Sequence, residues 1–314
     1  SKDFLYNEWD YSINQYRLNW CRLYNSYAFD LCENINFYDD KINIENYKDK
    51  YFISFYIKKN KKDIKYLSLC LNYIFNLSIW VNRQMYGQEI DIDSITVRYA
   101  FMISGNCDFD KFYSYKKNLN NQVCIMLLLD ASLSTDSWFQ GKKVSDIIKE
   151  IVIILGESLN KVFGNFFAIN AFCSNTRNDC RYIIIKDFFD SWDKNKLFLI
   201  RIFPYGYTRI GPAIRHSIYR LNKFKIKDKL LLLISDTKPT DYDPYEGHYG
   251  IFDVKKCIYE ASLSNIKIKA ISIDEKSKFY LPQMFGKNNF YLLKNKVCIG
   301  KMLANIFFDC FMKK

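Results

Sequence analysis

The chain has 314 residues, 49% of them hydrophobic, 18% aromatic and 25% charged, which excludes a disordered polar chain and suits one large domain or a core of roughly 190 residues with a smaller module. Its formal net charge is +12, yet only ten of the 46 basic residues are Arg. The Lys excess is spread along the chain among many Asn, Ile, Tyr and Phe, as AT-rich coding would produce, so no nucleic-acid partner is expected.

Residues 1–118 are expected to form a mainly helical N-terminal module and linker. Apolar residues recur at three and four spacing over Ile44 to Tyr56 and Ile64 to Val81, which is helical periodicity. The dense run Lys58, Lys59, Lys61, Lys62 and Lys65 reads as a solvated helix end or a local basic patch, and the polar segment Asn106 to Gln122 as the linker. Glu8, Trp9, Asp10 and Tyr11 read as residues that dock the helical module on the second half of the chain.

From residue 119 to 314 the pattern changes. Short Val, Ile and Leu runs alternate with amphipathic stretches, the signature of βαβ units around a parallel sheet buried on both faces. Strands are expected at Val123 to Leu129, Phe166 to Phe172, Tyr182 to Ile185, Lys229 to Ile234, Lys267 to Ile273 and Phe290 to Leu293. Helices are expected at Lys142 to Leu159, from Gly211 and Pro212, at Ile251 to Ser264 and at Gly300 to Phe311. The expected fold is therefore α/β, a doubly wound, mostly parallel six-stranded sheet, with Thr208 on a strand-to-helix loop.

Ten cysteines include no CxxC pair, and a chain this long needs no disulfide staples. Cys70, Cys124 and Cys257 read as small buried hydrophobes, and two histidines, His216 and His248, leave no zinc-like spacing. No apolar run reaches the ~18 residues that span a bilayer, and the first ten residues lack a secretory signal. A cytoplasmic, reduced protein is expected, and a chain that begins at Ser1 without Met is expected to continue upstream.

Three loops at the carboxyl ends of the expected strands offer oxygen ligands, where open α/β sheets collect their ligands. The first carries Asp130, Ser132 and Ser134 in a DxSxS pattern, the second Thr208, the third Asp236. DxSxS alone also fits an ordinary turn or helix N-cap. Five hard oxygen donors on three converging loops fit Mg²⁺.

DASLS at 130–134, YTRIG at 207–211 and ISDTKP at 234–239 resemble the metal-ion-dependent adhesion site of von Willebrand factor A domains. The resemblance implies that Ser132, Ser134 and Thr208 contact the metal directly, that Asp130 and Asp236 do so directly or through water, and that a partner's carboxylate completes the shell. EWDY at 8–11, WCR at 20–22, EIDID at 89–93, YTRIGPAIRH at 207–216, KPTDYDPYEGHYGIFDVKKCIYEA at 238–261 and MFGKNNFYLL at 284–293 look like the NorD/CbbO group. Members of that group act with a MoxR-type AAA+ ATPase to activate nitric oxide reductase or rubisco, and usually have a further N-terminal region. What the resemblance implies is a non-catalytic adaptor that grips a client's acidic residue through Mg²⁺; the client stays open between the two enzymes, with composition tipping toward rubisco. One departure is Thr237, where the group more often has Gly, which would strain a loop that needs φ > 0.

Arg209, Arg215 and His216 read either as a surface for an acidic partner or as an exposed helical face. Asp241, Asp243 and Glu246, with Pro244 and Gly247, read either as an acidic recognition loop or as a solvated turn. The competing enzyme reading, a Mg²⁺-dependent phosphoester hydrolase on Asp130 and Asp236, lacks a general base within the three motifs, and no P-loop is present. A surface adhesion protein is the third reading, opposed by the missing signal and unpaired cysteines.

Overall fold

The computed structural model describes residues 2–33, 41–76, 78–103, 111–118, 123–236, 238–293 and 299–312. They fall into two units, Ser1–Leu71 with Gln122–Lys314, and Asn72–Asn121. The first half of the chain supplies β1 (Lys2–Asp10), β2 (Gln15–Tyr27), α1 (Ala28–Glu33), α2 (Lys41–Lys59), α3 (Lys61–Phe75), β3 (Ser78–Gln84), β4 (Glu89–Ile90), α4 (Ile92–Ile103) and β5 (Tyr113–Asn118). The second half begins with β6 (Val123–Asp130), β7 (Trp138–Phe139), β8 (Lys142–Lys143), α5 (Val144–Phe163), β9 (Ala168–Thr176), β10 (Asp179–Lys186) and α6 (Trp192–Ile200). It continues through α7 (Ile210–Asn222), β11 (Asp228–Ser235), α8 (His248–Leu263), β12 (Ile266–Ser272), α9 (Leu281–Phe285), β13 (Phe290–Leu292) and α10 (Ile299–Phe311).

The larger unit is built on an eight-stranded sheet in the order β1-β2-β10-β9-β6-β11-β12-β13. All six strands expected from the apolar runs are in it. The two extra strands come from the N-terminus, which is a correction: residues 2–27 form an antiparallel hairpin, not helix, and β2 runs parallel to β10 with Cys180 opposite Leu23 and Ile184 opposite Tyr27. Antiparallel pairing occurs only at β1–β2 and β9–β10 among the strands of this sheet. Helical periodicity does hold for α2 and α3, although α3 stops at Phe75 and the expected helix to Val81 gives way to β3.

Every residue of β6, VCIMLLLD, is buried, because helices cover both faces of the sheet and leave no polar side to alternate with. Cys124, Met126 and Leu128 join a core with Ile210, Ile214, Val254 and Cys257, the apolar stripes of α7 and α8. On the other face α5 packs with α2, α6 and α10. Trp192, the first residue of α6, is fully buried over Gly156, where any Cβ would meet its ring, and its Nε1 donates to Glu157 at 3.0 Å. The six buried cysteines among the described ones are free thiols, as is Cys70, which is only half-buried where full burial was expected.

In the smaller unit, β3, β5 and β4 form an antiparallel sheet in that order. β5 lies inside the segment expected to be a linker, and Asp91 of EIDID caps α4 through Ser94 N at 3.3 Å. Among the described residues no helix is long and apolar enough to cross a membrane.

Candidate metal centre

β6 and β11 are neighbours and parallel, with Leu129 opposite Ile234, so Asp130 and Ser235 end their strands side by side. Ser235 Oγ donates to Asp130 Oδ2, and Ser132 N donates to Asp130 Oδ1 at 2.9 Å. Ser132 Oγ and Ser134 Oγ lie 2.9 Å apart, and a side-chain hydrogen bond joins Ser134 to Asp236. Lys238 N adds a 3.4 Å contact to Asp236 Oδ1. Two strand ends and one short 3-10 turn therefore bring four of the five expected ligands together.

Thr208 arrives from a loop between two helices, α6 and α7, and not from a strand as expected. That loop is held extended by its neighbours. Tyr205 N donates to Ala131 O at 2.7 Å, Leu133 N to Gly206 O at 2.9 Å, and Thr208 exchanges backbone hydrogen bonds of 2.7 and 3.1 Å with Thr240. Gly206, at φ +68°, passes so close to the Ser174 carbonyl that a Cβ would collide with it, which is why the chain needs glycine there. The loop that carries Thr208 is thus fastened both to the DxSxS turn and to the loop after β11.

Burial raises the carboxyl of Asp130 to about 7, with the charge of Asp236 adding to the rise and the bonds from Ser132 and Ser235 opposing it. Burial also raises Asp236, opposed by Ser134 and the Lys238 amide and reinforced by Asp274. Two buried carboxyls that disfavour each other's ionised form are stabilised by a cation placed between them. Among the described residues Thr208 Oγ1 is buried with no hydrogen-bond partner, a cost that a ligand for the oxygen would remove. Two carboxylates and three hydroxyls are a hard oxygen set that fits Mg²⁺. Among the described residues no group of three His, Cys, Asp or Glu is placed to hold a metal. Thr237 lies outside the described residues.

The expected partner-facing residues are largely turned inward, which is a second correction. Arg209 is 2% exposed; it donates from Nη1 to Glu8 Oε2 at 2.9 Å, from Nε to Asp241 Oδ2 at 2.7 Å and from Nη2 to Asp243 Oδ2 at 3.4 Å. Arg215 is also buried, paired with Asp253 at 2.8 Å and Glu260 at 3.0 Å. Asp241 is enclosed, Asp243 half-buried, and Glu246 alone of the five is exposed. The two arginines sit in α7 or just before it, a helix covered by β1 and α8, so their charges must be met internally. Trp9 N donates to Asp253 at 2.9 Å and Tyr11 stacks on Phe252 at 4.1 Å, so the EWDY segment packs within the fold. Tyr245 Oη accepts from Gly211 N at 3.1 Å and donates to Asp253 Oδ2 at 2.8 Å; Ser235, Tyr245 and Asp253 do not stand out in the sequence, and Glu8 does so only as a docking residue.

His216 is fully buried, its Nδ1 2.7 Å from Tyr6 Oη, and burial pushes it down to about 3, while His248 opens α8.

A mostly parallel α/β sheet with a carboxylate and hydroxyl cluster at its carboxyl ends is the class that fold and site define. No protein-family model matches the chain. Among curated proteins it is similar to Protein NorD of Stutzerimonas stutzeri, 34% identical over 218 residues, which are 68% of this chain and 35% of that protein. It is likewise similar to Protein NorD of Brucella melitensis, 30% identical over 225 residues, 71% of this chain and 35% of that protein. An uncharacterised protein of Pseudomonas aeruginosa is 31% identical over 230 residues, 72% of this chain and 37% of its own length. The chain spans about a third of the length of the curated relatives it matches. Among solved structures it is similar to a variant of the PilB minor pilin from Streptococcus sanguinis (TM-score 0.48, 12% identity, 67% of this chain and 68% of that one). The vWF domain of the type V pili tip protein Mfa5 from Porphyromonas gingivalis aligns with TM-score 0.43 and 11% identity over 60% of this chain and 94% of that one.

Proposed function

We propose that the chain is a non-catalytic, Mg²⁺-dependent adaptor of the von Willebrand factor A type. Its metal site, Asp130, Ser132, Ser134, Thr208 and Asp236, grips an acidic side chain of a client enzyme, and a separate MoxR-type AAA+ ATPase remodels that client. The observation that carries this reading is the unpartnered, buried Thr208 Oγ1 on a loop fastened to the two carboxylate loops. The NorD name of the relatives favours nitric oxide reductase as the client over rubisco, against the tilt drawn from composition. When bound, the metal would supply a positive centre for a carboxylate, and this chain's own residues orient it and exclude water from its inner side.

The test is a pull-down of purified nitric oxide reductase, and of rubisco, with the chain in Mg²⁺ and in EDTA, beside the Asp130→Ala variant. Retention of the reductase in Mg²⁺ alone, lost in the variant while its circular dichroism is unchanged, is the expected result. Equal retention in EDTA and by Asp130→Ala would sink the reading, and retention of rubisco alone would move the client.

A further inference from the structure

We propose that the loops around the metal site form an aromatic, apolar docking surface, and that the partner segment it takes carries a single acidic side chain among apolar neighbours. This rests on the metal reading of Asp130, Ser132, Ser134, Thr208 and Asp236. Trp138, Phe203, Tyr242 and Phe279 keep 71%, 73%, 77% and 72% of their surface exposed, and Leu133 keeps 63%. Isolated exposed apolar residues are ordinary, but a group on one set of loops marks an interaction site.

The grouping follows from bonds to the site itself. Leu133 N is bound to Gly206 O, and Tyr205 N, next but one to Phe203, to Ala131 O. Tyr242 follows Asp241, whose carboxylate holds Arg209 beside Thr208. Phe279 precedes Tyr280, whose hydroxyl donates to the Asp236 carbonyl at 3.2 Å. Four loops thus each raise an apolar tip within a few residues of a proposed ligand or of a residue bonded to one. Trp138 belongs to the β7–β8 hairpin that comes directly after the DxSxS turn.

The proposed metal position takes one carboxylate, and the tips around it are apolar. Asp136 is held by Lys143 at 2.8 Å and Asp241 by Arg209, so the acids nearest the tips are compensated. Lys149 Nζ lies 5.7 Å from the Phe203 ring centre and Arg181 lies 4.9 Å from that of Tyr205. Lys278 Nζ likewise lies 5.1 Å from the Phe279 ring centre, so the cations beside the tips lie over aromatic faces of the surface. Aromatic anchors around a desolvated polar centre are the arrangement of interface hot spots, where flanking contacts exclude water from the central pair.

The experiment measures binding of the full chain to synthetic peptides with one central Asp, flanked by Leu, Phe and Met, by Ser and Gly, or by further Asp and Glu. Mg²⁺, EDTA and anionic phosphatidylglycerol vesicles provide the comparison conditions, with Mg²⁺ binding followed by calorimetry. The apolar-flanked peptide is expected to bind roughly tenfold or more tightly than the other two. The Trp138→Ser, Phe279→Ser double variant should lose that ratio and keep its Mg²⁺ affinity, since both side chains are exposed and neither carries a ligand oxygen. Equal binding of all three peptides in Mg²⁺, or an unchanged ratio in the double variant, overturns the surface and leaves the metal reading standing. A flank preference that persists in EDTA with no need for the Asp supports the surface and removes the metal reading. Vesicle binding that depends on Trp138 and Phe279 without peptide selectivity overturns the proposal in favour of a lipid surface.

Discussion

A buried hydroxyl that makes no hydrogen bond costs about 1–3 kcal/mol relative to one that does, and Thr208 Oγ1 is in that position. If its role is to bind metal, the apo protein should be relieved by its removal. Thr208→Val keeps the shape and drops the oxygen, so in EDTA the variant is expected to be as stable as the wild type or more stable by about 1 kcal/mol. In Mg²⁺ at a hundredfold its dissociation constant the wild type should gain about 2.7 kcal/mol and the variant much less. Urea unfolding with and without Mg²⁺ checks both numbers; a variant that is weakened equally in the two buffers would mark Thr208 as ordinary core. His216 gives a second prediction at this scale. Its imidazole is held neutral among Tyr6, Tyr182 and Tyr219, with Arg220 and Lys223 adding repulsion, and its pKa falls from 6.5 to about 3, mainly through burial. Because the unfolded imidazole binds a proton that the folded one refuses, this contribution is complete above pH 6.5 and is lost as the pH falls toward 3. The slope is at most about 1.4 kcal/mol per pH unit. His216→Gln should flatten the stability profile between pH 7 and 5, and an unaltered slope would show that the imidazole protonates in place.

At the scale of elements, the N-terminal hairpin and the metal loops are one construction. Glu8 on β1 accepts from Arg209 and from Tyr249 Oη at 2.8 Å, and Cys21 on β2 donates to it at 3.0 Å. Burial raises the Glu8 carboxyl while Arg209 opposes the rise. Arg209 is the residue after Thr208, so the strand fixes the loop that presents the proposed ligand. Glu8→Ala leaves Arg209 with Asp241 and Asp243 but takes the acceptor from Tyr249 and Cys21, so it is expected to cost about 1–3 kcal/mol. Glu8→Gln keeps the shape and should cost less. In both, the amides of Thr208 and Thr240 should exchange with deuterium faster than in wild type; exchange confined to β1 would separate the hairpin from the site. The sequence marks Glu8 as a docking residue but does not show that it meets Arg209. The strands β6, β9 and β11 announce themselves as apolar runs because both their faces are buried, and DxSxS is readable because it comes at the end of one of them. β2 buries only a few residues such as Cys21 and Leu23 among Arg17, Asn19 and Arg22, so no period stands out, and its partner β10 lies far along the chain. Arg209 looked like a surface residue for the same reason: the acid that meets it, Glu8, is remote in sequence.

At the scale of the whole chain, the expected boundary at residue 118 separates strands that the sheet joins. A fragment of residues 119–314 keeps every proposed ligand, yet it loses β1 and β2. β10 would then present its row from Cys180 to Ile184 as an unpaired edge, and exposed apolar edges recruit other strands. It would also lose Leu23 and Cys21 from the core shared with α7, and Arg209 would keep Asp241 and Asp243 but not Glu8. The fragment is therefore expected to aggregate or to unfold without cooperativity, whereas the full chain unfolds cooperatively with a Mg²⁺-dependent midpoint. Size-exclusion chromatography and near-ultraviolet circular dichroism of both would decide it. A monomeric 119–314 fragment with a sharp transition and wild-type Mg²⁺ affinity would show that the hairpin is an ornament on an independent domain.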